Sequence, residues 1–326
     1  MGKNMLKRLT LPVLAMLLIY YVTTDEATEA GKSLIKTIED QNVQVEVNLD
    51  DYYTIYAPHE SGNVVGTMIE KGEESDDVQA VYDIFTTKMN KLPQGVTSPL
   101  TPAAELIDYS IDQNVLTLNV TSDFLNYDLK DERKVLESLV YSFTSLPGIE
   151  VLKFKIDGLP VTNLNGTLSV ERGLSKEMGI NLELDSKTLD NTQVVTLFFL
   201  TDDHKDALLV PVTRLIPSTE NAVQYVIQEL INGPEDDKYI SVFDNKVNLL
   251  TDPMIDNGVI SLNFSNDLFY DNEKTVVSSL MLKQLVLTLT QFEEIKSVSI
   301  AVDGDEKVIE DQLKTVSQQL NPVIYK

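Results

Sequence analysis

The chain has no cysteine and no tryptophan, only two histidines, His59 and His204, and 26 Lys and Arg against 51 Asp and Glu. Without cysteine there are no disulfides, thiolate metal sites, cysteine nucleophiles or thioether lipid anchors. Neither histidine has a second at ligand spacing, which argues against zinc. A formal charge of −25 and a pI near 4.3 repel phosphate backbones and anionic headgroups and gain nothing from counterion release, so nucleic acid is not expected as a partner. A Walker A loop, a Gly-x-Gly-x-x-Gly turn and a Gly-x-Ser-x-Gly elbow are also missing, leaving neither a phosphate cradle nor a serine triad to argue from. Partners are expected among proteins, cations or surfaces with basic patches.

What is present suits two folded domains. The 326 residues are 43% hydrophobic and 24% charged, an ordinary globular balance in a chain too long for one ordinary core. At the N-terminus, Lys3, Lys7 and Arg8 precede an apolar run from Leu9 to Val22, and Asp25, Glu26 and Glu29 follow it. Basic before and acidic after is the arrangement of a Sec-type signal or anchor, with the basic end kept in the cytoplasm. The run is short for a spanning helix and fits a signal-peptide core. Against cleavage stand the poor small-x-small site at "TEA" and the interfacial pair Tyr20-Tyr21. Residues 1–24 are therefore read as an anchor helix at the cell membrane, with a cleaved signal peptide as the alternative and the bulk of the chain extracytoplasmic in either case.

A polar, acid-rich linker (25–51) leads to a first repeat (52–164), a turn-rich linker (165–192), a second repeat (193–311) and a C-terminal tail (312–326). In the first repeat, "YYTIYAP" reads as a strand ended by proline, and "SDDVQAVYDIFTTKM" as a helix capped by Ser75. "AELIDYSIDQNVLTLNVTS" reads as a hairpin about a polar turn, and a helix from Asp131-Glu132 to Leu146 leads into the strand "IEVLKFKIDG". In the second, "VVTLFFL", "STENAVQYVIQELINGP", "MIDNGVISLNFSNDLF", "TVVSSLMLKQLVLTLTQF" and "IKSVSIAVDG" repeat the same order. The last long helix is expected to carry Val277, Met281, Leu285, Leu289 and Phe292 in register. The expected fold class is thus α+β: two tandem β-α-β-β-α-β repeats, each packing two helices on one small mixed sheet.

The two repeats also match residue by residue. "IDQNVLTLNVTSDF" from Ile111 lies over "IDNGVISLNFSNDL" from Ile255, and "LVYSFTSLPGIEVLKFKIDG" from Leu139 over "LVLTLTQFEEIKSVSIAVDG" from Leu285, without a gap. Ile-Asp, Val-x-x-Leu-Asn and the closing Asp-Gly coincide, as expected of a duplication.

The motifs "RLIPSTENAVQYVIQELINGP", "GVISLNFSNDLF" and "LVLTLTQFEEIKSVSIAVDG" closely resemble the GerMN-domain family of sporulation and spore-germination proteins. The resemblance covers nearly all of Val194 to Ile309 and, more weakly, Tyr53 to Leu164. It implies a tandem, surface-exposed membrane protein whose domains are similar to ring-building modules, with partners among proteins of the cell envelope or the sporulation channel, including further copies of itself. The family's lipid anchor has no cysteine to occupy here, so anchorage falls to the apolar segment.

Candidate chemistry is sparse. Asp157-Gly158 and Asp303-Gly304 read as turns. "DGDE" (Asp303–Glu306) lacks the alternating ligands of a calcium loop. The acid pairs Asp50-Asp51, Asp76-Asp77, Asp202-Asp203 and Asp236-Asp237 fit helix starts and loop tips better than a glycosidase pair. The chain is accordingly not expected to be an enzyme, and no catalytic, cofactor-binding or metal-binding residue is assigned. The expected function is protein–protein assembly in sporulation or germination, with an extracytoplasmic ligand-binding or sensory module as the alternative. The long helices are apolar over more than one face, as expected of helices buried on a small sheet, with packing of part of the second face on a neighbouring domain or subunit as the alternative.

Overall fold

The computed structural model describes residues 49–183, 191–201, 208–219, 221–270 and 276–306. The expected anchor (1–24), all of the 25–51 linker but its last residues, Asp202-Asp203, His204 and the 312–326 tail lie outside them. Among the described residues, no helix is long and apolar enough to cross a membrane.

The first repeat opens with an antiparallel hairpin of β1 (Tyr52–Pro58) and β2 (Val64–Glu70). Helix α1 (Asp77–Phe85) follows, capped by Asp76 rather than Ser75: the Asp76 Oδ1 accepts from the Gln79 amide at 2.9 Å. A second hairpin, β3 (Leu106–Asp112) and β4 (Val115–Val120), turns through Gln113 and Asn114 at φ 47° and 65°, the left-handed pair that a tight two-residue loop requires. The chain then crosses over through α2 (Glu132–Phe143) to β5 (Val151–Ile156), parallel to β4, and ends the sheet with β6 (Leu159–Pro160).

The second repeat follows the same course through β7 (Thr192–Thr201), β8 (Leu209–Pro217), α3 (Ala222–Asn232), β9 (Tyr239–Ile240), β10 (Met254–Asp256), β11 (Val259–Phe264), α4 (Ser279–Leu289) and β12 (Ser297–Val302). Its β11 and β12 are parallel like β4 and β5, and its tight turn is Asn257-Gly258. The cap of α4 is Ser278, so Val277 precedes the helix and bridges to Phe269 instead of lying in the helical register.

Two corrections to the expected repeat follow. Each repeat has two strands beyond the four expected, β2 and the short β6 in the first and β8 and the short β9 in the second, and each has two sheets rather than one: β1-β2 with β3-β4-β5-β6, and β8-β7-β9 with β10-β11-β12. Strands β2 and β8 are largely apolar runs, buried at every residue of β2 but Glu70 and at every residue of β8 but Leu215 and Pro217. Such runs lack the alternation that marks a half-exposed strand. In β8, Pro211 further weakens the signal, and it is tolerated because β8 is an edge strand.

Two sheets explain the apolar second face of the long helices. Helix α2 is wedged between β1 and the sheet of β5, and ten of its twelve residues are buried. Its Ser142 lies against β1, the hydroxyl accepting from the Tyr56 amide at 2.8 Å and bonding the Tyr56 carbonyl at 3.3 Å. Helix α4 lies across β7 in the same way, with the Gln284 amide donating to the Phe198 carbonyl and Gln291 to that of Thr196. The face that suggested a neighbouring subunit is thus covered within the chain. The buried apolar residues of both repeats form one connected cluster, so the interior continues from one repeat into the other.

Candidate functional site

The duplicated sequence signals meet in one structural device. After β5, Asp157 and Gly158 take φ 49° and 81°, and after β12, Asp303 and Gly304 take 50° and 83°. The asparagine of Val-x-x-Leu-Asn, on the adjacent parallel strand, closes each turn. Asn119 accepts from the Gly158 amide at 2.8 Å, and Asn263 from the Gly304 amide at 2.9 Å. Left-handed Asp-Gly and a side-chain acceptor one strand away are the physical reason that both motifs recur together. Asn119→Ala and Asn263→Ala are each expected to lower stability by about 1 kcal/mol, read by urea denaturation. Asp157→Asn and Asp303→Asn, which keep the left-handed preference without the charge, should leave it unchanged.

The other candidates are dispersed. Asp76 caps α1 and accepts from the Tyr109 hydroxyl at 3.0 Å, and Asp77 accepts from Tyr53 at 2.7 Å. Asp236 is paired with Lys238 at 2.9 Å. The buried His59 accepts through Nδ1 from the Ser61 amide at 3.2 Å. Asp305 bonds back to Val302 in the turn after β12. Asp50-Asp51 lie in the short helical turn, Leu49–Asp51, that precedes β1. Among the described residues, no group of three or more histidines and carboxylates could hold a metal ion.

The densest polar constellation is one the sequence reading missed, at the junction of the repeats. Residues 180–183 return from the first repeat to lie along β8: the Ile180 amide donates to the Thr213 hydroxyl at 2.8 Å, the Thr213 amide to the Ile180 carbonyl at 2.9 Å, and the Glu183 amide to the Thr213 carbonyl at 2.9 Å. Gly179, at φ 75°, allows this approach, since a Cβ there would meet the Thr213 side chain at 2.9 Å. Asn181 joins the hairpins of both repeats. Its Oδ1 accepts from the Val64 amide of β2 at 2.8 Å, and its Nδ2 donates to the carbonyls of Val64 at 2.7 Å and Pro211 of β8 at 2.8 Å.

Beside it, Arg214 is 3% exposed and donates to Glu183 at 2.7 Å, to Glu229 at 2.6 Å and to the Gly233 carbonyl at 3.2 Å, with its guanidinium 5.4 Å from the Phe199 ring centre. Burial acts to lower the Arg214 pKa, but the hydrogen bonds and charges of Glu183 and Glu229 outweigh it and hold the group more firmly protonated. Tyr239, stacked on Phe199, donates across the junction to Asn63 at 2.7 Å. From α2, the buried Glu137 accepts from the Asn181 amide at 3.2 Å and pairs with Arg133 at 2.8 Å; burial pushes its pKa up, and both partners pull it back. Each of these buried charges is paired, so removing one partner is expected to destabilise the packing of the two units.

A second shared feature is exposed. Ile111 on β3 and Ile255 on β10 occupy matching positions opposite the buried Leu116 and Ile260, yet are 53% and 42% exposed. They sit on the apolar side of strands that end their sheets.

Two copies of one mixed α+β unit, joined through a buried polar seam and each ending in an exposed edge strand, define a tandem-repeat protein without an assembled reaction centre among the described residues. The chain belongs to the Germane family, described as "Sporulation and spore germination", whose family model matches residues 19–162 and 196–308. It is 28% identical over 237 residues to the spore germination protein GerM of Bacillus subtilis (strain 168), a match covering 71% of this chain and 64% of that protein's length. The solved tandem GerMN domains of the sporulation protein GerM from Bacillus subtilis are similar in fold, with a TM-score of 0.76 at 25% identity, over 83% of this chain and 99% of that one.

Proposed function

We propose that this chain is an extracytoplasmic assembly protein of sporulation or spore germination, held at the cell membrane by residues 1–24 and acting through protein–protein contact rather than catalysis. Family membership supports the biological setting. The charge asymmetry of Lys3, Lys7 and Arg8 against Asp25, Glu26 and Glu29 supports the anchorage and its direction. The observation that carries assembly is a duplicated, unpartnered feature: both repeats expose the same isoleucine on the same edge strand. Each is about half exposed beside a neighbour that is fully buried. The partners are proteins of the envelope or of a sporulation channel, further copies of this chain among them.

Deletion of the gene in its own host is expected to lower the yield of heat-resistant or germinating spores while vegetative growth continues. Full-length protein should sediment with membranes, be digested by protease added outside protoplasts, and cross-link in place into species larger than one chain. A strictly monomeric protein that instead binds a wall fragment saturably would replace this reading with that of a sensory module.

A further inference from the structure

We infer that the edges of β3 and β10 are docking sites for an extended, basic segment of another protein, which adds to each sheet as a further strand. The inference rests on the assembly reading and names the chemistry of the partner.

Among the described residues, the only strand paired with β3 is β4 and the only strand paired with β10 is β11. An edge strand presents a row of amides and carbonyls that an incoming strand can pair, with side-chain pockets setting the choice of partner. On each edge the apolar side is incomplete. Ile111 and Ile255 face the same way as the buried Leu116 and Ile260, but the edge leaves them half uncovered. A strand added beside β3 or β10, with an apolar residue at alternate positions, would cover the isoleucine.

Charge selects the occupant. Glu105, Asp108 and Asp112 lie on or beside β3, Asp252 and Asp256 on or beside β10, and all five are exposed. The nearest described lysines of the first sheet, Lys153 and Lys155 on β5, are two strands inward, about 10 Å from the edge. A second copy would bring its own acidic edge against this one, in a chain of net charge −25, and like charges directly opposite are destabilising. Lysines or arginines alternating with apolar residues meet both the acids and the isoleucine.

The test uses the full-length protein and a fluorescent peptide alternating lysine and valine, with a glutamate–valine peptide as control. Anisotropy should show saturable binding of the first and none of the second. Ile111→Ser with Ile255→Ser, and separately Asp112→Lys with Asp256→Lys, should each weaken binding roughly tenfold, the loss of about 1.4 kcal/mol, with the urea midpoint unchanged. Charge reversal away from the edges, Glu171→Lys with Glu177→Lys, should have no such effect. A photo-cross-linking residue in place of Ser110 or Met254 should capture the peptide, and in the host a different protein.

Equal weakening by the distant reversals, or indifference to the edge substitutions, overturns the inference. So does an edge cross-link to residues 1–48 of the same chain. An edge cross-link to a second copy also overturns it but leaves the assembly reading standing, as do captures confined to other surfaces. The assembly reading itself fails only if no cross-linked complex forms from any surface.

Discussion

Arg214→Met is expected to lower the unfolding free energy by about 3–5 kcal/mol, the usual consequence of leaving a buried charge without its partner. The substitution keeps most of the apolar stem but strands Glu183 and Glu229, whose side chains are 7% and 19% exposed, and frees the Gly233 carbonyl. Arg214→Lys should recover part of the loss, because an ammonium keeps the charge but cannot fork to two carboxylates and a carbonyl at once. The double variant Glu183→Leu with Arg214→Met should be more stable than Arg214→Met alone, since it removes the most buried of the stranded carboxylates. Urea denaturation of the parent, Arg214→Met, Glu183→Leu and the double variant gives the coupling directly. An Arg214→Met variant as stable as the parent would show that the seam does not hold the repeats together.

Asn181→Leu should cost about 3 kcal/mol or more, from three backbone groups left without a partner at 1–3 kcal/mol each. Those groups are the Val64 amide, the Val64 carbonyl and the Pro211 carbonyl. The residue also sits at φ 47°, which asparagine and glycine accept more readily than leucine. Asn181→Gly isolates the amide, since it keeps the backbone freedom and deletes only the side chain. Asn181→Asp is the sharper test, because it retains the acceptor for Val64 but turns a carboxylate oxygen toward two carbonyls. It is expected to be at least as damaging as Asn181→Gly. The parent should unfold in one transition, with both repeats melting together through their shared interior. The asparagine variants should separate it into two, seen as divergence between probes placed in the first and second repeats.

The family resemblance and the duplication were legible because they rest on local patterns. Helical spacing along α2 and α3, the alternation of β4 and β11, and the Asp-Gly stops are properties of short segments, and each segment has the structure its pattern implies. The cap of α1 and the start of α4 were displaced because several capping residues compete over a few positions. Asp76 and Ser278 win by geometry that only the folded backbone supplies. Strands β2 and β8 escaped for a different reason. Their burial on both faces comes from packing against α2 and against each other, so their residues are apolar throughout and carry no period.

The junction could not have been read at all. Asn181, Glu183 and Arg214 stand in a turn-rich stretch and in an apolar strand, where an asparagine looks like a turn former and an arginine like a surface charge. Their meaning depends on groups far along the chain, Val64 above all. By itself the sequence determined that one unit of sheet and helix occurs twice, because periodicity and turn chemistry act over a few residues and survive copying. Only the tertiary structure decided that the two units share a continuous interior and a buried polar seam, because burial and the pairing of buried charges depend on distances in space that no local pattern encodes.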